Sequence, residues 1–171
     1  LLENLKAANH ARVVSVSSSA NYGGKIKWDD LEGASRYSGF TAYAQSKLLN
    51  IVFANELARQ LRGLEVTSNS LHPGLVSTGF GDNSSGWMKP LMRMLKRFAI
   101  TPEKGAETTL YLATSSEISG VTGQFFDNKK QKRANPIAYD EAAQKRLWDL
   151  SEKLVAQWLD PVQSARAEAK V

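Results

Sequence analysis

Tyr43-Ala44-Gln45-Ser46-Lys47 sets a phenol and an ammonium four residues apart. On a helix that spacing puts both side chains on one face, a turn from each other. A phenol is a poor acid at neutral pH, with a free pKa of about 10. A nearby ammonium favours the phenolate and so makes the phenol a better proton donor. A serine hydroxyl close to both could hydrogen-bond the oxygen of a substrate carbonyl. Together the three groups could protonate an alkoxide while hydride arrives from elsewhere. The pair alone is weakly specific, because the same spacing also gives surface cation–π or snorkelling contacts. Two neighbours add weight. None of Tyr22, Tyr37, Tyr111 and Tyr139 has a lysine four residues on, and the hydroxyl cluster Ser17-Ser18-Ser19 directly follows Arg12-Val13-Val14-Ser15-Val16. That apolar run reads as a short buried strand, and ligand groups in open α/β sheets sit at the carboxyl edge of strands.

These groups need elements to hold them. Leu1, Leu2, Leu5 and Ala8 recur at helical spacing over residues 1–10, ahead of the 12–16 strand. From Ser19 to Gly39 the glycines and mixed polar residues predict a loop, with room for a short helical turn, pinned by Trp28 and Leu31. So long an irregular stretch in a compact domain usually serves function. Residues 41–62 form the strongest helical pattern. Leu49, Phe53, Leu57 and Leu61 share one stripe with Leu48 and Val52 beside it, and Gly63 is placed to end the helix. Residues 65–71 alternate as a strand, broken by His72-Pro73-Gly74. Helix, glycine stop, strand and turn make an αβ unit, which implies a parallel sheet. Residues 84–100 read as helix-rich, with Trp87, Met88, Leu91, Met92, Leu95 and Phe98 on an amphipathic face. Thr101-Pro102-Glu103 is a helix start with its cap and a first-turn proline. A final strand is expected around Gln124-Phe125-Phe126 and a last helix over 137–159, with Leu147, Leu150 and Leu154 at helical spacing.

At 171 residues, 42% hydrophobic and 23% charged, the chain has the make-up of one soluble globular domain. No apolar run of transmembrane length occurs, and Leu1-Leu2-Glu3-Asn4-Leu5-Lys6 lacks the order of a signal peptide. Without cysteine there are no disulfides or thiolate metal sites, and a cytoplasmic setting is permitted. Two histidines and no cysteine offer no metal cluster, and no Gly-x-Ser-x-Gly elbow points to a serine hydrolase. The net charge of +5 gathers at 89–97 and 129–133. Both runs read as solvated faces, and no nucleic-acid-binding motif accompanies them.

Taken in order, Arg12-Val13-Val14-Ser15-Val16-Ser17-Ser18, Tyr43-Ala44-Gln45-Ser46-Lys47-Leu48-Leu49-Asn50, His72-Pro73-Gly74-Leu75-Val76-Ser77-Thr78 and Gly123-Gln124-Phe125-Phe126 resemble the C-terminal part of a short-chain dehydrogenase/reductase. The 24–31 insertion and Arg146-Leu147-Trp148 are most similar to the retinol dehydrogenase-like branch. The resemblance implies a Rossmann-like doubly wound α/β sheet, and covers nearly all of residues 1–171 as part of a single domain. It also implies hydride transfer between NADP (or NAD) and an alcohol or carbonyl substrate, apolar and retinoid-like. Tyr43 would be the general acid/base, Lys47 would hold the nicotinamide ribose and favour the tyrosinate, and Ser18, more than Ser17, would bind the substrate carbonyl. Pro73 and Gly74 would line the nicotinamide, with the backbone of Val76 and the hydroxyl of Thr78 near its carboxamide.

The branch also carries a glycine-rich turn after its first strand, which seats the pyrophosphate on a helix N-terminus. Nothing like that turn occurs here, and Ser15 stands where the branch commonly has asparagine. The chain is therefore expected to be a portion of the domain, inactive and unstable by itself, with an incomplete three-stranded sheet. A truncated, non-catalytic interaction module is the competing reading. The 87–98 face could be a peripheral membrane contact or a lid over an apolar substrate. The 41–62 helix could pair with a second copy or pack internally.

Overall fold

The computed structural model describes residues 2–8, 10–76 and 100–158. A short helix α1 (Leu2–Ala7) leads into strand β1 (Ala11–Val16), then helix α2 (Gly39–Gln60) and strand β2 (Val66–His72). Helix α3 (Pro102–Thr114), strands β3 (Phe125–Asp127) and β4 (Lys130–Lys132), and helix α4 (Glu141–Val155) follow. The sheet runs β1-β2-β3-β4. Its first three strands are parallel, with Val13 opposite Ser68 and Ser70 opposite Phe125. The α/β class and parallel sheet match the expectation.

Helices cover both faces. On one, Leu48, Ile51 and Val52 of α2 join Phe125, Ala134, Ala138 and Leu147 in a buried cluster. On the other, Leu71 and Phe126 pack with Leu112 and Ile118. Arg12 ties β1 to the end of α3, donating to the carbonyls of Leu112 (3.1 Å) and Ser115 (2.8 Å). Leu112 lies in the last turn of α3, where carbonyls lack a partner further along the helix, so the guanidinium serves as a cap there. The opposite end of α3 follows the expected cap: Thr101 Oγ1 accepts from the Lys104 amide at 3.3 Å, with Pro102 in the first turn.

Several expectations are corrected. The sheet has a fourth strand: the basic run around 130 turns back as β4, antiparallel to β3, with Lys130, Gln131 and Lys132 all exposed. Asn128 and Lys129 make the turn at positive φ (49° and 60°), as a tight hairpin demands. The deepest stripe of α2 runs through Ala44, Leu48, Ile51, Val52 and Ala54, whereas Leu49 and Phe53 are only partly buried. Phe53 faces α4, stacked 5.2 Å from Trp148, so α2 is buried along two stripes rather than one. Helix α4 starts at Glu141, after a 3-10 turn over Pro136–Tyr139, and Leu154 is 60% exposed. The 84–100 pattern lies, but for Ile100, outside the described residues.

Candidate active site

β1 ends at Val16, and Ser17 carries the ladder one step further by donating its amide to the Leu71 carbonyl at 2.7 Å. Here strand and helix are clamped in both directions. Ser17 Oγ donates to the Lys47 carbonyl at 2.6 Å, while Asn50 Nδ2 and Lys47 Nζ donate to the Val16 carbonyl at 3.1 and 3.5 Å. The clamp brings the strand end against the turn of α2 that carries the phenol and the amine. Lys47 Nζ stands 5.7 Å from the centre of the Tyr43 ring. Both side chains are half-buried, at the rim of the sheet's carboxyl edge.

Ser18 is 8% exposed and caps a 3-10 turn over Ser19–Gly23, its Oγ accepting from the Ala20 amide at 3.2 Å. Its hydroxyl hydrogen can still be donated. A buried amide network sets the height of this turn. Asn21, fully buried, donates to the Ser18 carbonyl at 2.8 Å. Asn135 reaches in from the far end of the chain: its amide donates to Asn21 Oδ1 at 3.0 Å, and its Nδ2 to the carbonyls of Asn21 (3.2 Å) and Gly24 (3.1 Å). Gly24 lies flat on α2, where a Cβ would meet the Ala44 carbonyl at 2.8 Å and Leu48 Cβ at 2.9 Å. Gln45, inside the Tyr-to-Lys interval but pointing the other way, accepts from the Lys27 amide and donates to the Leu31 carbonyl, both at 2.9 Å. The long loop is thus stitched to α2, with Trp28 packed against the core and Arg146 4.5 Å over its ring.

The second strand supplies the rest. Gly74 follows β2 with φ 88°, and a Cβ there would lie 2.7 Å from Ile100 Cδ1. The position therefore takes glycine on both counts. Leu75 accepts from the Ile100 amide at 2.8 Å, and Val76 bridges to Ile100. The Val76 side chain is spent on Gly105 of α3, so its backbone is what remains for a ligand. Thr78 lies outside the described residues. Before the turn, His72 sits opposite Asp127 with its Nδ1 buried and, among the described residues, without a hydrogen-bond partner. Burial holds its pKa below the usual histidine value, against the pull of the Asp127 carboxylate. Tyr22 nearby is pushed up, first by burial and then by Asp127 and Tyr139.

Residue reading singled out Ser18, Tyr43, Lys47, Pro73, Gly74 and Val76, which come from segments at the carboxyl ends of β1 and β2 or from the first turns of α2 beside them, and Thr78, which lies outside the described residues. It missed Asn21, Gln45, Asn50 and Asn135. Asn135-Pro136 is the kind of pair that starts a turn, but the 114-residue reach of Asn135 to Asn21 leaves no local trace.

No family model matches the chain. Among curated proteins it is similar to retinol dehydrogenase 14 of Homo sapiens, 42% identical over 158 residues, covering 91% of this chain and 47% of that protein. Retinol dehydrogenase 12 of Homo sapiens is 39% identical over 92% of this chain and 50% of its own length. The chain thus spans about half the length of these relatives. Among solved structures, an uncharacterized protein from Mycobacterium paratuberculosis aligns with a TM-score of 0.63 and 30% identity, over 84% of this chain and 50% of that one. A 3-oxoacyl-[acyl-carrier protein] reductase from Brucella melitensis aligns with 0.51 and 26%, over 74% and 44%. By its relatives and its fold, the chain belongs to the short-chain dehydrogenase/reductase family, in the retinol dehydrogenase-like branch.

Proposed function

We propose that the whole protein is an NAD(P)-dependent oxidoreductase of alcohols and carbonyls, with Tyr43 as its general acid/base. The observation that carries this is the two-way clamp between Val16-Ser17 and Lys47-Asn50, which holds the end of β1 against the turn bearing Tyr43 and Lys47. Three hydrogen-bonding groups on two different elements are thereby held to one rim, which is what positioning a carbonyl oxygen requires. The Tyr43 phenol gives its proton to the substrate oxygen as carbonyl becomes alcohol, and takes it back in the reverse direction. Lys47, on the same face, stabilises the phenolate left behind. The Ser18 hydroxyl donates to the same oxygen and shares its developing charge.

The nicotinamide end of the dinucleotide is the part these residues fit. Pro73, Gly74 and the Val76 backbone follow the strand end in order, with the Ile100 side chain packed where a Gly74 Cβ would sit. When bound, the dinucleotide supplies or accepts the hydride. Thr78 is assigned to its carboxamide by family resemblance. NADP is favoured over NAD on the same ground, and an apolar substrate is favoured because several relatives are named for retinol and one, from Danio rerio, for polyprenol. That those relatives are named as dehydrogenases counts against the non-catalytic module. Membrane contact through 87–98 and pairing through α2 belong to the same proposal. Among the described residues no helix is long and apolar enough to cross a membrane.

Tyr43→Phe in the whole protein tests the reading. Turnover of an aliphatic aldehyde should fall by at least about 100-fold, the usual share of a general acid, while the protein still folds. A variant that keeps its rate refutes the role of Tyr43.

A further inference from the structure

Val16 ends its strand with a carbonyl that two side chains of α2 compete to satisfy. Asn50 Nδ2 is 3.1 Å away and Lys47 Nζ 3.5 Å away, the second at the outer limit of a hydrogen bond. An ammonium has three protons and is the stronger donor, since charge-assisted bonds are shorter and tighter than neutral ones. Left alone with the carbonyl, it would close on it. The neutral amide holds the better position instead, and the Lys47 backbone is fixed separately by Ser17 Oγ at 2.6 Å. We infer that Asn50 is a positioning residue that occupies the Val16 carbonyl so that the Lys47 ammonium stays available to the phenol and to a ligand. Nothing in the Tyr-x-x-x-Lys pattern assigns Asn50 a task. The inference rests on the proposed oxidoreductase reading for the ligand, but not for the competition itself.

Asn50→Leu keeps the size of the side chain and removes its donor. The Val16 carbonyl then has Lys47 as its remaining side-chain donor, and the ammonium is drawn off the Tyr43 face. Two readouts in the whole protein follow. Competitive labelling of lysine amines, read by mass spectrometry, should show Lys47 reacting several-fold more slowly in Asn50→Leu than in the parent, with other lysines unchanged. The dissociation constant for NADPH should rise about tenfold, the size of one net hydrogen bond. That rise should vanish when Asn50→Leu is made on a Lys47→Met background, because the effect runs through the ammonium. Asn50→Ala, which also lacks the Nδ2 donor and adds no charge beside the ammonium, should slow Lys47 labelling too and serves if the leucine variant does not fold.

A residue that merely fastens strand to helix predicts otherwise. Lys47 labelling would be unchanged, and the two substitutions would add. Either result overturns the inference. A parent that binds no dinucleotide overturns the oxidoreductase reading alone, since Lys47 labelling still decides the role of Asn50.

Discussion

Asn135 is the most informative side chain to remove. Asn135→Ala deletes two well-formed donations, to the carbonyls of Asn21 at 3.2 Å and Gly24 at 3.1 Å, and a longer one to Tyr22 at 3.5 Å. It also deletes the Oδ1 that accepts from the Ile137 amide at 3.2 Å and caps the turn before α4. Asn21 is fully buried, so its carbonyl gains no water in exchange. Two net hydrogen bonds at about 1 kcal/mol each, with a cap worth about 1 more, give a loss of about 3 kcal/mol. Scanning calorimetry of the whole protein should show the midpoint falling by about 5 °C or more. Asn135→Asp separates the parts: it keeps the Oδ1 cap, loses the Nδ2 donors and sets a carboxylate against three carbonyls. The same network carries Ser18, whose carbonyl is held by Asn21. A misplacement of about 1 Å at a reacting group can cost about 100-fold, so kcat should drop more than KM rises. An Asn135→Ala protein that melts within a degree of the parent and turns over aldehyde at the parental rate would refute the chain from Asn135 through Asn21 to Ser18.

Adjacent glycines make a second test. Gly24→Ala drives a Cβ into the Ala44 carbonyl, which is backbone and cannot swing aside, and should cost about 1–3 kcal/mol. Gly23→Ala meets nothing within 4 Å and should be near neutral by chemical denaturation. The third concerns His72. Its folded pKa lies below the unfolded value of about 6.5, so the unfolded chain binds the proton more tightly. The stability it contributes is complete above that pH and is lost as pH falls from there toward the folded pKa. His72→Gln should flatten that part of the stability profile, and Asp127→Asn, which removes the opposing attraction, should carry the loss to lower pH.

The elements that sequence reading placed well are those whose signals are local. β1 stands out because Val13, Val14 and Val16 cluster just ahead of a serine-rich turn, although the strand is only partly buried and Val16 is 44% exposed, and α2 because apolar residues recur over six turns. The start of α3 is written in Thr101-Pro102-Glu103 and observed with that cap. What escaped depends on distance. β4 is three exposed polar residues, which carry no periodicity; only pairing with Phe125–Asp127 makes them a strand. Helical spacing in α4 does not by itself say which residues are buried: Leu147 packs into the core, whereas Leu154 is 60% exposed. For the candidate site, the structure sets the end of β1 beside the turn of α2 that bears Tyr43 and Lys47, and the elements that carry these two and Ser18 were legible from local pattern. The amides that set their heights were not, since Asn21, Asn50 and Asn135 look like ordinary loop or helix polar residues until the fold brings them to a carbonyl.

The polarity of β2 has a consequence of its own. Ser68, Asn69 and Ser70 occupy the middle of a buried central strand. Ser68 Oγ donates to the Ala54 carbonyl at 2.9 Å, and Asn69 donates to Val121 and accepts from the Gln124 amide at 2.7 and 3.0 Å. Each of these bonds exists in one alignment only, so sliding the strand by a residue would orphan all of them, whereas a run of valines would tolerate the slip far better. On a newly made or partly unfolded polypeptide the same seven residues are too hydrophilic to seed stacked fibrillar assemblies. The strand is therefore quiet as a free segment and exacting once docked, which separates correct assembly from clumping at the step where parallel sheets are slowest to form.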